Sequence, residues 1–350
     1  MSLGPLMVDV AGQTLGPEDR EVLRHALVGS VILFSRNYAD PAQLIRLVQE
    51  IHALRDPPLV VAVDHEGGRV QRFRKQFTVL PPARLIGHQY DIDPQAGIEM
   101  ARSCAWLLAS ELRGVGVDLS FAPVVDLDYG VSEVIGDRAY HKNADAVSAL
   151  TSACMAGMRE AGMASVAKHF PGHGAVVADS HFTLPIDRRE IADMDADLAP
   201  YRRLIANGLP AIMAAHVVYS QIDERPASFS RRWITEVLRG DLRFHGVVFA
   251  DDLNMAAAVT VGSMLDRANY ALDAGCDVLP ICNNRPGVLE LLEGLRAQPN
   301  PASQARLVRL HGRPAPDRDT LLASARWQAA SQELERNTLR PELSLDSGRA

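Results

Sequence analysis

Eight short runs of apolar and β-branched residues recur along the chain, with longer stretches between them. They are PLMVDV (5–10), VGSVILF (28–34), LVVAVD (59–64), VDLSFAPVVDL (117–127), ASVAKHF (164–170), AIMAAHVVY (211–219), GVVFADD (246–252) and DVLPICN (277–283). Each run is hydrophobic continuously rather than alternately, as strands of a parallel sheet must be when both faces are buried. The intervening stretches read as helices. DPAQLIRLVQEIHAL (40–54) opens on Asp40 as an N-cap and Pro41 at the first helical position, then sets Leu44, Leu47, Val48 and Ile51 on one face. SMLDRANYALDAG (263–275) starts on a Ser263 cap and stops on Gly275. Strand and helix alternating eight times predicts an α/β fold, a (β/α)8 TIM-type barrel, in which active sites form at the C-terminal ends of the strands.

A barrel of this kind uses 250 or more residues as one unit, so residues 1–298 are expected to form a single catalytic domain. Beyond them the character changes to clustered prolines, an amphipathic helix and the polar tail SLDSGRA. Residues 299–350 are therefore expected to be a C-terminal helical extension packed on the barrel, with a frayed end.

The net charge of -7 and the absence of a long Lys/Arg run argue against a nucleic-acid partner. MSLGPLMVDVAG lacks the basic and long apolar regions of an export signal, and no apolar stretch reaches the roughly 18 residues of a spanning helix. A protein without a membrane partner, kept in the cytoplasm, is the expectation. Cys104, Cys154, Cys276 and Cys282 are too few and too scattered for a disulfide framework, so buried, reduced thiols are expected.

The polar residues cluster where the runs end: Asp9, Arg36 with Asn37, Asp64, Asp126 with Asp128, Lys168 with His169, His216, Asp251 with Asp252, and Asn283 with Asn284. VDHEGGRVQRF (63–73) sets Asp64 at the barrel mouth, turns on Gly67 and Gly68, and follows with Arg69 and Arg72. An acid and two guanidinium groups at one strand end suit a hydroxyl-rich or anionic ligand, while Glu66 is read as a structural partner for a neighbouring Arg. Arg138, in IGDRAYHKN, falls in a loop beyond the fourth strand, where a plain surface Arg is the ordinary alternative. In GVVFADDLNM, alternation along an extended chain allows only one of Asp251 and Asp252 to face the mouth, the other capping the next turn. A carboxylate there is a candidate nucleophile or metal ligand.

KHFPGHGAVVADSH (168–181) is the densest stretch of chemistry. Lys168 and His169 close the fifth strand, and Pro171, Gly172 and Gly174 make the continuation a loop. Asp179 close to His181 could accept an imidazole N–H, orient the ring and stabilise its charged form, making His181 a general acid/base. Metal binding is the rival reading, with His169, His173, His181 and Asp251 as the ligands. No H-x-H ends the first strand and no H-E-x-x-H is present. For His173, inside the tight turn, a satisfied structural histidine fits best.

VDHEGGRVQR, IGDRAY, KHFPGHGAVVADSH, MAAHVVY and FADDLNM, in this order, resemble the glycoside hydrolase family 3 β-N-acetylglucosaminidases, most of all the single-domain bacterial branch of peptidoglycan recycling. The likeness covers about residues 5–295, and KHFPGHG followed by DSH is its specific part. It implies a TIM barrel and a retaining glycosidase that forms a covalent glycosyl-enzyme on Asp251, the first Asp of A-D-D-L. Ala250 stands where the family carries a hydroxyl residue, with at most a mild effect expected. The resemblance further implies that Asp179 and His181 form the acid/base dyad, and that Asp64, Arg72, Arg138, Lys168 and His169 hold the hydroxyls of a terminal N-acetylglucosamine. No metal and no cofactor are implied. The expected partner is a peptidoglycan-derived sugar or muropeptide, GlcNAc linked to anhydro-N-acetylmuramic acid with or without peptide, and a monomer is expected. Three alternatives stay open at this level: a phosphorylase, because a histidine acid/base tolerates phosphate as the attacking group; a metal-dependent barrel hydrolase; and a catalytically silent sugar-binding protein.

Overall fold

A computed structural model describes residues 3–180, 184–296 and 300–338 of the chain. Among the described residues each of the eight apolar runs holds one parallel strand of the main sheets: β1 (Leu6–Asp9), β2 (Val28–Leu33), β3 (Val60–Val63), β4 (Leu119–Ser120), β5 (Val166–Phe170), β6 (Ala211–Ala214), β7 (Val247–Ala250) and β8 (Leu279–Ile281). Every residue in them is buried, which explains why their hydrophobicity does not alternate. Hydrogen-bonded pairing runs β8-β1-β2-β3-β4 in one sheet and β5-β6-β7 in another. Parallel bridges join the two sheets at both edges: Leu119 to Ala164 and Val124 to Lys168 between β4 and β5, and Phe249 to Val278 between β7 and β8. The eight strands thus close into a ring in chain order, with Leu6 opposite both Val28 and Leu279.

Helices return the chain between strands: α1 (Pro17–Arg24), α2 (Pro41–Ala53), α3 (Ala83–Ile92), α4 (Pro94–Gly114), α5 (Ala144–Glu160), α6 (Asp195–Ala206), a π-helical segment (Arg232–Asp241), α7 (Ala256–Val259), α8 (Met264–Ala274) and α9 (Arg285–Gly294). The expected caps are in place. Asp40 accepts the Gln43 N–H and Pro41 begins α2. Ser263 accepts the Asp266 N–H, and Gly275 ends α8 with φ +110. Among the described residues no helix is long and apolar enough to cross a membrane, and the four cysteines are free and buried.

Beyond α9 lie α10 (Pro301–Leu307), α11 (Arg318–Ala323) and α12 (Ala325–Thr338). They pack against the outside of the barrel through the buried side chains Leu307, Leu321 and Leu334. Trp327 of α12 donates its indole N–H to Glu111 of α4 at 2.8 Å. The same carboxylate takes the Thr78 backbone N–H at 2.9 Å and the Thr78 hydroxyl at 2.5 Å.

Candidate active site

At the C-terminal ends of the strands a pocket opens whose walls include Asp64, Glu66, Arg72, Arg138, Lys168, His169, His173, Ser180, Asp251 and Asp252. Sequence distance is no guide to this assembly, since Asp64 follows β3 and Asp251 follows β7.

The turn after β3 sets the first wall. His65–Gly67 and Val70–Gln71 form a two-stranded antiparallel hairpin that turns on Gly67 (φ +110) and Gly68 (φ +53). A Cβ on Gly67 would sit 2.6 Å from the Pro81 carbonyl oxygen, so both the conformation and the space call for glycine. This hairpin carries Glu66 inward. Arg138, in a tight turn at Gly136–Arg138, donates two hydrogen bonds to the Glu66 carboxylate at 2.8 and 2.9 Å. Lys168 Nζ lies 2.6 Å from Glu66 and 3.0 Å from Asp64, and Arg72 approaches Asp64 at 3.7 Å.

The group is a continuous alternation of charges, Arg138, Glu66, Lys168, Asp64, Arg72, and most of it is buried. Burial alone would raise the Glu66 carboxyl, but the Arg138 guanidinium and the Lys168 ammonium outweigh it and hold Glu66 well below the usual carboxylate range. Burial likewise works against the charge on Lys168, yet Asp64 and Glu66 keep its ammonium above its ordinary value. Both sites stay charged at neutral pH because each supplies the other's counter-ion.

A second cluster forms where β4 and β5 end. Asp126, fully enclosed, accepts the backbone N–H of His173 at 2.7 Å and of His169 at 3.2 Å, and lies 2.8 Å from His169 Nδ1. Burial would raise this carboxyl, and the neighbouring His169 brings it below the ordinary value. His173 is also buried, and burial together with His169 lowers its imidazole. Its Nε2 meets the Ser180 hydroxyl at 3.1 Å, while the Ser180 carbonyl takes the Ala257 N–H at 3.2 Å. Residues 173–180 of the loop after β5 are therefore held at both ends. Gly174 passes so close to the β4 loop that a Cβ there would lie 1.8 Å from the Leu127 carbonyl oxygen. Asp179 belongs to this loop; His181 lies outside the described residues.

β7 ends at Ala250, and Asp251 and Asp252, which follow it, both border the pocket. Asp252 does cap the next turn, accepting the N–H groups of Asn254 and Cys282 at 3.0 Å each, and its own N–H donates to Asp251 Oδ1 at 2.9 Å. Burial pushes the Asp252 carboxyl up to about 6.

Other strand-end residues serve the frame instead. Asp9, Arg36 and Asn283 tie the ends of β1, β2 and β8 together, with the Asn283 N–H on Asp9 at 2.9 Å and Arg36 on Asn283 at 2.7 Å. His216 is buried away from the pocket, between the Ser228 hydroxyl and the Asp252 carbonyl. Arg69 turns outward to the carbonyls of Glu133 and Val134. Glu66, read as the structural partner of a neighbouring Arg, pairs with Arg138 and also with Lys168. Asp126 had no assigned role beyond ending a strand run; its place beneath two histidines depends on β4 and β5 being neighbours, which no local pattern announces. Among the described residues, no group of three or more His, Cys, Asp or Glu is placed to hold a metal ion.

Comparison with known proteins follows the same outline. The model of the glycosyl hydrolase family 3 N terminal domain matches residues 6–310. A β-hexosaminidase of Thiobacillus denitrificans is 54% identical over 333 residues, covering 94% of this chain and 93% of that protein. A β-hexosaminidase of Thioalkalivibrio sulfidiphilus is 51% identical over 346 residues, 99% of this chain and 100% of that one. Among solved structures, NagZ from Neisseria gonorrhoeae in complex with N-trifluoroacetyl-D-glucosamine superimposes with a TM-score of 0.93 at 41% identity, over 97% of this chain and 99% of that one.

Proposed function

The chain belongs to glycosyl hydrolase family 3, and from that premise we propose that it is a retaining exo-β-N-acetylglucosaminidase. Its substrate would be a peptidoglycan fragment ending in GlcNAc β-linked to anhydro-N-acetylmuramic acid, with or without peptide, processed by a monomer in the cytoplasm. The observation that carries this reading is the company Asp251 keeps: a carboxylate at the end of β7 shares one pocket with Asp64, Arg72, Arg138, Lys168 and His169. Charged donors and acceptors fixed in an alternating row suit the hydroxyl groups of a single terminal sugar, because a ligand lacking one hydroxyl leaves a buried charge unpaired.

In this reading Asp251 attacks the anomeric carbon and forms a glycosyl ester. His181, oriented by Asp179, protonates the departing oxygen and then takes a proton from the attacking water. Asp64, Glu66 and Asp252 are engaged otherwise, the first two with Lys168 and the third with two backbone N–H groups. An imidazole acid/base also avoids setting another anion beside the nucleophile.

Turnover of a chromogenic β-N-acetylglucosaminide is the test. Asp251→Asn should lower kcat by about a thousandfold or more, equivalent to about 4 kcal/mol of barrier, while the thermal transition stays in place. His181→Ala should lose activity least on substrates with good leaving groups, which need little protonation. Wild-type turnover unchanged in Asp251→Asn would refute the assignment. Formation of a sugar 1-phosphate in phosphate buffer would replace hydrolysis with phosphorolysis.

A further inference from the structure

The barrel face opposite the pocket holds a second concavity of a different make. Ser165, Pro210 and Gly246, which precede β5, β6 and β7, form its floor, and the segment 306–313, from the end of α10 onward, borders an open concavity of about 520 Å³. Five arginines line it, Arg159, Arg243, Arg306, Arg309 and Arg313, and among the described residues no Asp or Glu does. This reverses the sign of a chain whose net charge is -7.

Clustered arginines are ordinarily explained by ion pairs. Here Arg306 has one, with Asp277 at 2.9 Å. Among the described residues the guanidinium groups of Arg159, Arg243, Arg309 and Arg313, all four residues exposed, make no ion pair or hydrogen bond. Arg159 stands in the last turn of α5, where the helix dipole by itself favours a cation. That account does not reach Arg243, which holds φ +54 in the turn before β7, a left-handed conformation that glycine or asparagine adopts at lower cost. Ser165 adds a second, independent observation. It lines the cavity at 1% exposure, and its hydroxyl has no hydrogen-bond partner among the described residues. Met163, Leu209 and Phe244 supply an apolar wall beside these donors.

We propose that this cavity binds a small phosphorylated organic molecule. Guanidinium groups present paired N–H donors that match phosphate oxygens, and a serine hydroxyl at the floor adds a further donor. The volume lies within the range of about 300–1,000 Å³ that small-ligand sites occupy, enough for a nucleotide-sized ligand whose organic part rests on the apolar wall. A concave site of this size favours a soluble ligand over a lipid surface, which a protruding basic face would serve better. The arrangement also gives the C-terminal segment a task. Arg313 is pinned by its N–H to the Gly162 carbonyl at 2.8 Å and by the Arg113 guanidinium on its own carbonyl at 3.0 Å, so the segment is held where its arginines complete the site.

Titration calorimetry of the full chain with inorganic pyrophosphate and with ADP, at about 0.15 M salt, tests the proposal. One saturable site per chain is expected, with ADP bound more tightly than pyrophosphate. The double variant Arg243→Gln/Arg309→Gln should bind both at least about tenfold more weakly, while it still hydrolyses a chromogenic β-N-acetylglucosaminide as the wild type does. If the double variant does not fold, the exposed Arg309→Gln alone carries the comparison. Absence of saturable binding overturns the proposal. So does undiminished binding in the arginine variants, which would move the ligand away from this cavity. Binding confined to phosphatidylglycerol vesicles, with neither soluble probe retained, overturns it as well.

Discussion

Glu66 shows how much of the pocket depends on one side chain that the proposed mechanism leaves away from the reacting atoms. Its carboxylate is the shared counter-ion of Arg138 and Lys168, at 2.8 and 2.6 Å, and its side chain is 8% exposed. Removing one member of a buried ion pair leaves the others uncompensated, at about 3–5 kcal/mol. Glu66→Gln keeps the shape and an acceptor but removes the charge, so a loss of about 3 kcal/mol in denaturant unfolding is expected, together with a raised KM as Arg138 and Lys168 relax. Unfolding indistinguishable from wild type would show that the cations find other partners. Asp252 makes a contrasting case, because burial favours its protonated form. Its folded-state value of about 6 exceeds the ordinary 3.8, so its contribution to stability is complete below the ordinary value and disappears as the pH rises to about 6. Asp252→Asn retains an acceptor for the Asn254 and Cys282 N–H groups without the charge. The variant's advantage over wild type in unfolding free energy should therefore grow between about pH 4 and pH 6 and then level off, at about 3 kcal/mol at most. His65 acts in the opposite sense: burial, with the charges of Arg74 and Arg72, holds its imidazole down to about 3. Its contribution is present above the ordinary value of 6.5 and is lost as the pH falls below it. A difference between variant and wild type that is flat with pH would mean that Asp252 ionises as an exposed carboxyl does.

At the scale of elements, local chemistry was the most legible part of the sequence. The strands sit within the apolar runs, and α2 and α8 begin on the residues whose side chains can take an orphan N–H, Asp40 and Ser263. Ser263 belongs to a reciprocal box in which Asp266 reaches back to the Ser263 N–H at 3.0 Å. Ser263→Ala should cost about 1 kcal/mol in thermal unfolding, and Ser263→Asp much less, since either oxygen satisfies the helix start. Equal losses in the two variants would assign the effect to something other than the cap. What the sequence concealed was pairing across elements. A run of letters records that Asp126 ends a strand, but that it lies under His169 and His173 follows only from β4 and β5 being adjacent in the ring. Alternation left one of Asp251 and Asp252 to cap the next turn, and Asp252 does so. Arg138, which the resemblance alone set among the sugar-binding residues, meets Glu66 because the hairpin after β3 carries that carboxylate to it.

The whole molecule is a ring with an outer brace. α12 is fastened to α4 by Trp327, whose indole N–H meets a carboxylate that also holds Thr78. Trp327→Ala removes a half-buried ring and one hydrogen bond to a buried acid, so a loss of about 2 kcal/mol is expected, with turnover at moderate temperature unchanged. A drop in kcat without a drop in stability would instead tie the brace to the pocket. The ring itself has a consequence in time. β1 is hydrogen-bonded on one side to β2 and on the other to β8, Leu6 facing Leu279. A ribosome making about 5–20 residues per second needs roughly a quarter of a minute to a minute between those two strands. Throughout that interval one edge of β1 offers unpaired N–H and C=O groups to any neighbouring chain, an invitation to aggregation that ends only when the eighth strand emerges. Nascent chains stalled before residue 279 should therefore depend on chaperones far more than chains released just after residue 281.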